Sequence, residues 1–354
     1  MKTRFIALAA VAVLLSNIAV FAKPDTVRKT AKQRAASRMV AMLPASDCIA
    51  VFDAKRFLGE GLPKILSANQ PLLTEIMAKI GEMETRTGIN LRKFEQLAVG
   101  VTYKQISTKE VDYEPVLLAT GADINFAAIV TGTKAVSTGT SRTETIGGKS
   151  VFIFTVKPET ILKKPAAGTS SQVTDVVDKA MKGLSKEIAL VSIDKNTLAI
   201  GSVARVREML VGRSNVSAEL TSVLPVKDSA LITFAMRPPS GIANLLPLES
   251  DSLDRSINAI TVISGSMEML AADTGVHFLI RSKTAADALG VKDMLEVGQA
   301  FGKMAFTNKK RPDQQVYARM IDSVKLGLKG TDVTLDLSIL QSDIDVLIGG
   351  INKK

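Results

Sequence analysis

The 354-residue sequence contains no tryptophan, one cysteine and one histidine. Each scarcity removes a class of function. Aromatic residues make up only 4% of the chain, so the flat faces on which carbohydrates and single-stranded nucleic acids usually stack are in short supply, and no specific nucleic-acid binding is expected. Cys48 alone makes neither an internal disulfide nor a cysteine metal cluster. It lies in the apolar run Cys48-Ile49-Ala50-Val51-Phe52 and reads as a small buried hydrophobe. His277 alone excludes two-histidine metal motifs. A Ser-His-Asp triad would have to use this residue, which sits in the strand-like run Val276-His277-Phe278-Leu279.

Two short matches to catalytic motifs fail on their context. Gly148-Lys149-Ser150 imitates the end of a phosphate-binding loop, but Thr143 stands where the first glycine belongs. The following Val151-Phe152-Ile153-Phe154 reads as a strand where that motif requires a helix. Ser192-Ile193-Asp194-Lys195 has a Ser-x-x-Lys spacing but runs into a hairpin turn instead of along a helix. No pattern points to a cofactor, a metal ion or a catalytic residue. Hydrolysis by a pair of carboxylates stays open, because 35 acidic residues are present and spacing in sequence does not locate them.

The clearest positive signal is at the N-terminus. Lys2 and Arg4 precede eleven apolar residues, Phe5 to Leu15, which suits the core of a secretory signal and is too short to span a bilayer. Ser16 and Asn17 break the run, and Val20-Phe21-Ala22 offers small residues at −3 and −1 of a cleavage site. Residues 1–22 are therefore read as a cleaved signal peptide, the mature chain beginning near Lys23 in the periplasm or outside the cell. An uncleaved N-terminal anchor is the alternative. The net charge of +10 is concentrated next to it: residues 23–38 carry six cations against Asp25 alone. This basic N-terminal tail reads as a solvated spacer, with weak contact to an anionic surface as its functional alternative.

Beyond the tail, strand and helix signals alternate. Strands are predicted at Cys48–Ala54, Phe94–Tyr103, Glu114–Thr120, Ala230–Met236, Ala259–Leu270 (with Ile263, Met267 and Met269 on one face) and Thr274–Arg281. Hairpins are predicted at 143–156, turning on Gly147-Gly148, at 187–201, and at 324–339. Helices are predicted at 57–66, from Pro71 with Leu72, Leu73, Ile76, Met77, Ile80 and Met83 in 3.6 period, from about Asp123, at 202–211, at 284–306 and from Ile344. Residues 157–185 read as an inserted loop followed by an amphipathic helix carrying Val173, Val176, Val177, Ala180, Met181 and Leu184. Lys309-Lys310-Arg311-Pro312 reads as a solvated loop.

The two halves share a pattern. Leu43-Pro44-x-x-Asp47 is matched by Leu224-Pro225-x-x-Asp228, and at the same offsets Ala54 is matched by Ala235 and Arg56 by Arg237. Together with the element order, this predicts an α+β protein of two related lobes, 39–212 and 220–354, each a mainly antiparallel sheet with covering helices. Asp47, Arg56, Asp228 and Arg237 are the only candidate site residues. Their fold role is turn closure at one end of a strand and departure at the other; their functional alternative is a charged cleft made twice.

Leu43-Pro44-Ala45-Ser46-Asp47, Thr87-Gly88-Ile89-Asn90-Leu91-Arg92-Lys93-Phe94 and Leu97-Ala98-Val99-Gly100, with Ile146-Gly147-Gly148-Lys149 and Leu198-Ala199-Ile200-Gly201, give the chain a further reading. In these segments it resembles a group of bacterial exported proteins classed as a domain of unknown function. The resemblance implies export and a duplicated α+β fold, and it implies no activity. The expectation is a non-enzymatic binding or scaffolding protein of the bacterial envelope or exterior, its partner an envelope protein or an apolar ligand such as a lipid.

Overall fold

A computed structural model of the protein describes residues 30–87, 89–107, 110–137, 139–155, 187–212, 215–225, 227–245, 251–306 and 310–349. The expected signal peptide and the expected insertion at 157–185 lie outside the described residues.

The chain is α+β. Helix α1 (Ala31–Met42) leads to strand β1 (Cys48–Asp53). Asp53 accepts the Arg56 N–H and so starts α2 (Ala54–Arg56), which continues through a π-type turn, Phe57–Gly61, into α3 (Leu62–Ile65). Helix α4 (Gln70–Thr87) precedes the long strands β2 (Phe94–Ser107) and β3 (Glu110–Gly121). Asn125 caps α5 (Phe126–Val136). Strands β4 (Arg142–Ile146) and β5 (Lys149–Phe154) turn on Gly147 and Gly148 at φ 56° and 75°, the left-handed pair that a two-residue hairpin requires. Then come β6 (Ile188–Asp194), β7 (Thr197–Ser202), the Ser202-capped α6 (Val203–Val211) and α7 (Ala218–Val223). The rest is β8 (Ala230–Met236), α8 (Asp251–Asn258), β9 (Ile260–Met269), β10 (Asp273–Ser282), α9 (Ala285–Phe306), α10 (Pro312–Ser323), β11 (Lys325–Lys329), β12 (Asp332–Leu340) and α11 (Gln341–Gly349).

The chain forms two compact units. The first holds Ala35–Gly59 and Pro71–Ala218. Its strands pair antiparallel in the order β1-β2-β3-β7-β6-β5-β4. Its core is aliphatic and phenylalanine-rich: Phe152 and Phe154 stack at 5.6 Å beside Ile188, Leu190 and Leu198, with Ile129 of α5 packed on them. The second unit holds Glu60–Gln70 and Glu219–Lys354 with the described part of Met1–Arg34. Its strands pair antiparallel in the order β8-β9-β10-β12-β11. Helix α9 packs Ala288 and Val291 on Val333, while α10 packs Val316 and Met320 on Leu337 and Ile339.

Three differences from the sequence reading matter. The unit boundaries are not those of a simple cut near residue 215, because Glu60–Gln70 belongs to the second unit. Lys64 donates to the Leu270 and Ala271 carbonyls, Gln341 donates to the Lys64 carbonyl at 2.9 Å, and Ser67 donates to Asp345 at 2.8 Å. The basic tail is not a spacer throughout: from Ala31 it is helix α1, a run of good helix formers that ends on buried Met39 and Val40. Lys32 there is fixed to the carbonyls of Asp228 and Ala230 at 2.7 and 3.2 Å. Finally, Pro312 does not close a loop but opens α10 as a first-turn residue, and that helix buries Val316, Met320 and Ile321.

Candidate functional site

The four candidate residues, Asp47, Arg56, Asp228 and Arg237, do not converge within either unit. The Asp47 N–H donates to the Val101 carbonyl at 2.8 Å, and its carboxylate accepts the Tyr103 N–H at 3.0 Å. That closes the turn leading into β1, as a residue of this kind does before a strand. Arg56 lies beyond the other end of the six-residue β1, about 20 Å away at about 3.3 Å per residue. Asp228 accepts from the Thr30 hydroxyl at 2.7 Å. Arg237 lies past the other end of β8 and donates to Glu219 at 2.9 Å.

Among the described residues the buried charged side chains Arg205, Asp336 and Asp343 are matched, while Asp254 Oδ1 is buried without a hydrogen-bond partner. Arg205 is 2% exposed and donates to the Ala45 carbonyl, the Ser46 hydroxyl and Glu208. Asp343 is engaged by Arg319, and Asp332 by Arg281 at 2.7 and 2.8 Å. His277 Nδ1 lies 2.7 Å from Asp336 Oδ1, its cross-strand neighbour. Among the described residues no serine or threonine hydroxyl bonds to that ring, and no group of three His, Cys, Asp or Glu side chains is placed to hold a metal. Burial pushes the Cys48 thiol and the Tyr103 phenol up from their ordinary values, the phenol hydroxyl being bonded to the sulfur. A raised thiol is a poor nucleophile at neutral pH.

An open cleft of about 270 Å³ lies in the second unit, lined by Glu219, Arg237, Pro239, Gly241, Ile260 and Lys283 among others. Its charge is partly internal, since Arg237 faces Glu219.

The feature that departs furthest from ordinary packing is on β8 and β9. The two strands are antiparallel, with Ile232 opposite Met267, Phe234 opposite Gly265 and Met236 opposite Ile263. Directly opposed residues share a face of the sheet. On this face Ile232, Phe234, Met236, Ile263 and Met267 are all only half-buried. The other face carries Thr233, Ala235, Ser264 and Ser266, at 8%, 0%, 1% and 2% exposure. Small and hydroxylic side chains thus share the buried positions with Leu231 and Val262, at 1% and 0% exposure, while five bulky apolar side chains of the opposite face stay half-buried, although Met269 at its end is buried at 6%. The Phe278 ring meets Phe234 edge-on at 5.7 Å. Gly265 makes room for both: a Cβ there would lie 2.8 Å from Phe234 Cε1, 3.0 Å from Phe278 Cδ1 and 2.6 Å from the His277 carbonyl. The two rings consequently lie over the glycine. Alternation in β9 marks Ile263, Met267 and Met269 as one face, of which Met269 is buried and the other two are not, while β8, Ala-Leu-Ile-Thr-Phe-Ala-Met, is apolar on both faces and hides which is inside.

Helix α4 has the apolar stripe its sequence predicts, yet Leu72, Leu73, Ile76, Met77 and Ile80 are all only half-buried. Among the described residues no helix is long and apolar enough to cross a membrane.

No family model matches the chain, and no curated protein matches it. Solved structures similar to it include TP0453 in crystal form I, 8% identical, with a TM-score of 0.40 over 88% of this chain and 96% of that one. TP0453 in crystal form III is also 8% identical, with a TM-score of 0.43 over 88% of this chain and 97% of that one.

Proposed function

We propose that this is an exported bacterial protein that binds an apolar ligand and carries out no catalysis. The observation that carries the reading is the accessible apolar patch on β8 and β9, where Ile232, Phe234, Met236, Ile263 and Met267 stay half-buried while Thr233, Ala235, Ser264 and Ser266 take buried positions beside Leu231 and Val262. Keeping such side chains in partial contact with water forgoes on the order of 1 kcal/mol each. A ligand that covers them recovers it. Ligand sites are commonly apolar surfaces with few polar groups, and the ring pair over Gly265 provides a flat contact for an aliphatic chain. A carboxylate-pair hydrolase has less support, since the buried Asp336 and Asp343 each face a cationic or protonatable side chain.

Descent from a duplicated lobe is part of the proposal. The order β1-β2-β3-β7-β6 of the first unit parallels β8-β9-β10-β12-β11 of the second, each with a hairpin returning beside its third strand and a helix after it. The hairpin β4-β5 is then an addition to the first copy. Export rests on residues 1–22 and on the resemblance to exported proteins.

Native mass spectrometry of protein recovered from the periplasm is the test. The expected mature mass begins near Lys23, with a bound species of lipid-like mass. Titration with a long-chain fluorescent fatty acid should then show saturable binding that Met236→Asp weakens at least about tenfold. Binding that is absent in the wild-type protein, or unchanged in the variant, refutes the apolar-ligand reading.

A further inference from the structure

Helix α9 presents apolar side chains on two sides. On the inner side Ala288 and Val291 are fully buried against Val333. On the outer side Leu289, Val297, Phe301 and Met304 are 48%, 54%, 63% and 71% exposed. The spacing of the last three, four residues and then three, keeps them on one face. Phe301 and Met304 are the most exposed large hydrophobics among the described residues. A lone exposed apolar residue needs no explanation, but a row ending in an exposed ring does.

The stretch of chain that carries this row and runs on into α10 is basic, with Glu296 and Asp313 at its two ends. Residues 297–312 contain Lys303, Lys309, Lys310 and Arg311 and no Asp or Glu. Lys303 reaches Asp322 at 3.2 Å and Arg311 reaches Asp313 at 2.8 Å, yet both remain substantially exposed, as does Lys310. The acidic residues of α9, Asp287, Asp293 and Glu296, all precede the row's C-terminal half. An accessible apolar row beside a cluster of cations suits a helix that lies in the headgroup region of an anionic membrane, with its rings among the acyl chains and its cations at the phosphates. The helix carries too many charges to span the bilayer.

We infer that the C-terminal half of α9 docks the protein on an anionic lipid surface through Val297, Phe301 and Met304, with Lys303, Lys310 and Arg311 at the headgroups. Anionic lipid complements this charge, whereas a second copy placed row to row would bring like cations together. The surface is distinct from the β8–β9 face: it concerns where the protein sits, not what it carries.

The test uses the full mature chain in co-sedimentation with vesicles of phosphatidylcholine alone or mixed with phosphatidylglycerol. Binding is expected only with phosphatidylglycerol, falling steeply as salt is raised. Phe301→Ser with Met304→Ser should weaken it at least about tenfold, and Lys310→Glu with Arg311→Glu should abolish the preference for anionic lipid. Both pairs lie at exposed positions, so unchanged circular dichroism is expected to accompany the loss. Wild-type protein that does not sediment, or a Phe301/Met304 variant that sediments as wild type, overturns the inference. So does a concentration-dependent dimer that the same variant dissolves, which would assign the row to a second copy. The two proposals fail separately: the Phe301/Met304 variant should keep fatty-acid binding, and Met236→Asp should keep vesicle binding.

Discussion

Helices α6 and α9 each break the rule that charge faces water and rings face the core, in opposite senses. α6 buries Arg205, and α9 exposes Phe301. The neighbours of each side chain separate the two cases. The Arg205 guanidinium donates to the Ala45 carbonyl at 2.8 Å and to Ser46 Oγ at 2.9 Å, and it pairs with Glu208. Ser46 in turn donates to the Pro44 carbonyl at 2.9 Å. Only the Arg205 Nε is left without a bond. This arginine is therefore a clamp on the Leu43-Pro44-Ala45-Ser46-Asp47 turn, the segment that leads into β1. Phe301 answers to nothing comparable at its exposed face. A buried charge held by three partners is explained by the fold, while an exposed ring row with exposed cations beside it asks for something outside the fold.

The strongest way to break this comparison is to remove the clamp. Arg205→Leu fills similar volume but leaves the Ala45 carbonyl and Ser46 hydroxyl buried without their donor, and should cost about 3 kcal/mol. The urea midpoint reads it. A midpoint at or above the wild-type value would show that the turn holds without its arginine, and the contrast with α9 would lose its structural half.

Next in size is Gly265→Ala. The added Cβ would meet the His277 carbonyl at 2.6 Å, an atom fixed in the strand ladder, as well as both phenylalanine rings. Overpacking of this kind costs about 1–3 kcal/mol. Thermal unfolding should shift down, and the fatty-acid probe should bind more weakly as the rings are pushed apart. Weaker stability with unchanged probe affinity would separate the glycine's packing role from the ligand surface.

Much of this architecture was readable in advance, and the exceptions have physical causes. β8 was located to the residue because Ala230–Met236 is bounded by turn signals, and the β4–β5 turn because paired glycines supply the positive φ. β2 and β3 run further than expected, to Ser107 and from Glu110. The β2 extension, Lys104–Ser107, is exposed, so no apolar alternation marks it. α1 was hidden because six cations drew attention to charge, not to helix-forming residues. α10 was hidden behind Lys309-Lys310-Arg311-Pro312, where proline serves as a helix start. The candidate site was half legible. Period 2 puts Ile263, Met267 and Met269 together, but periodicity reports only that a face is apolar, not that the protein covers Met269 and leaves the other two half-buried. The same holds for α9, whose sequence offers Leu289 and Phe301 as apolar positions without any sign that the core takes Ala288 and Val291 instead.

A smaller effect concerns pH. Burial raises the Cys48 thiol from 9.0 and the Tyr103 phenol from 10.0 in the folded state. Above those ordinary values the unfolded chain releases both protons and the folded chain keeps them, so stability falls as pH rises. The slope is at most about 1.4 kcal/mol per pH unit for each group. Urea midpoints should therefore be flat near neutral pH and drop through the alkaline range, starting at about the ordinary thiol value. Cys48→Ala should flatten the early part of that fall. An unchanged slope in the variant would place the titration elsewhere.

The smallest expected effect is the most informative for α9. Replacing Phe301 and Met304 by serine removes two side chains that are 63% and 71% exposed. Surface substitutions away from packing usually change stability by less than about 0.5 kcal/mol, so the urea midpoint should hardly move. It can even rise, because less apolar surface meets water. Arg205→Leu is the counterpart: a large loss of stability, with vesicle binding retained in whatever fraction stays folded. If the Phe301/Met304 variant were instead strongly destabilised, the row would be packing against part of the protein's own fold, and α9 would join α6 as a helix whose irregular residue is explained from within. If stability holds while membrane binding goes, the row has no task inside the fold, and the lipid surface is its partner.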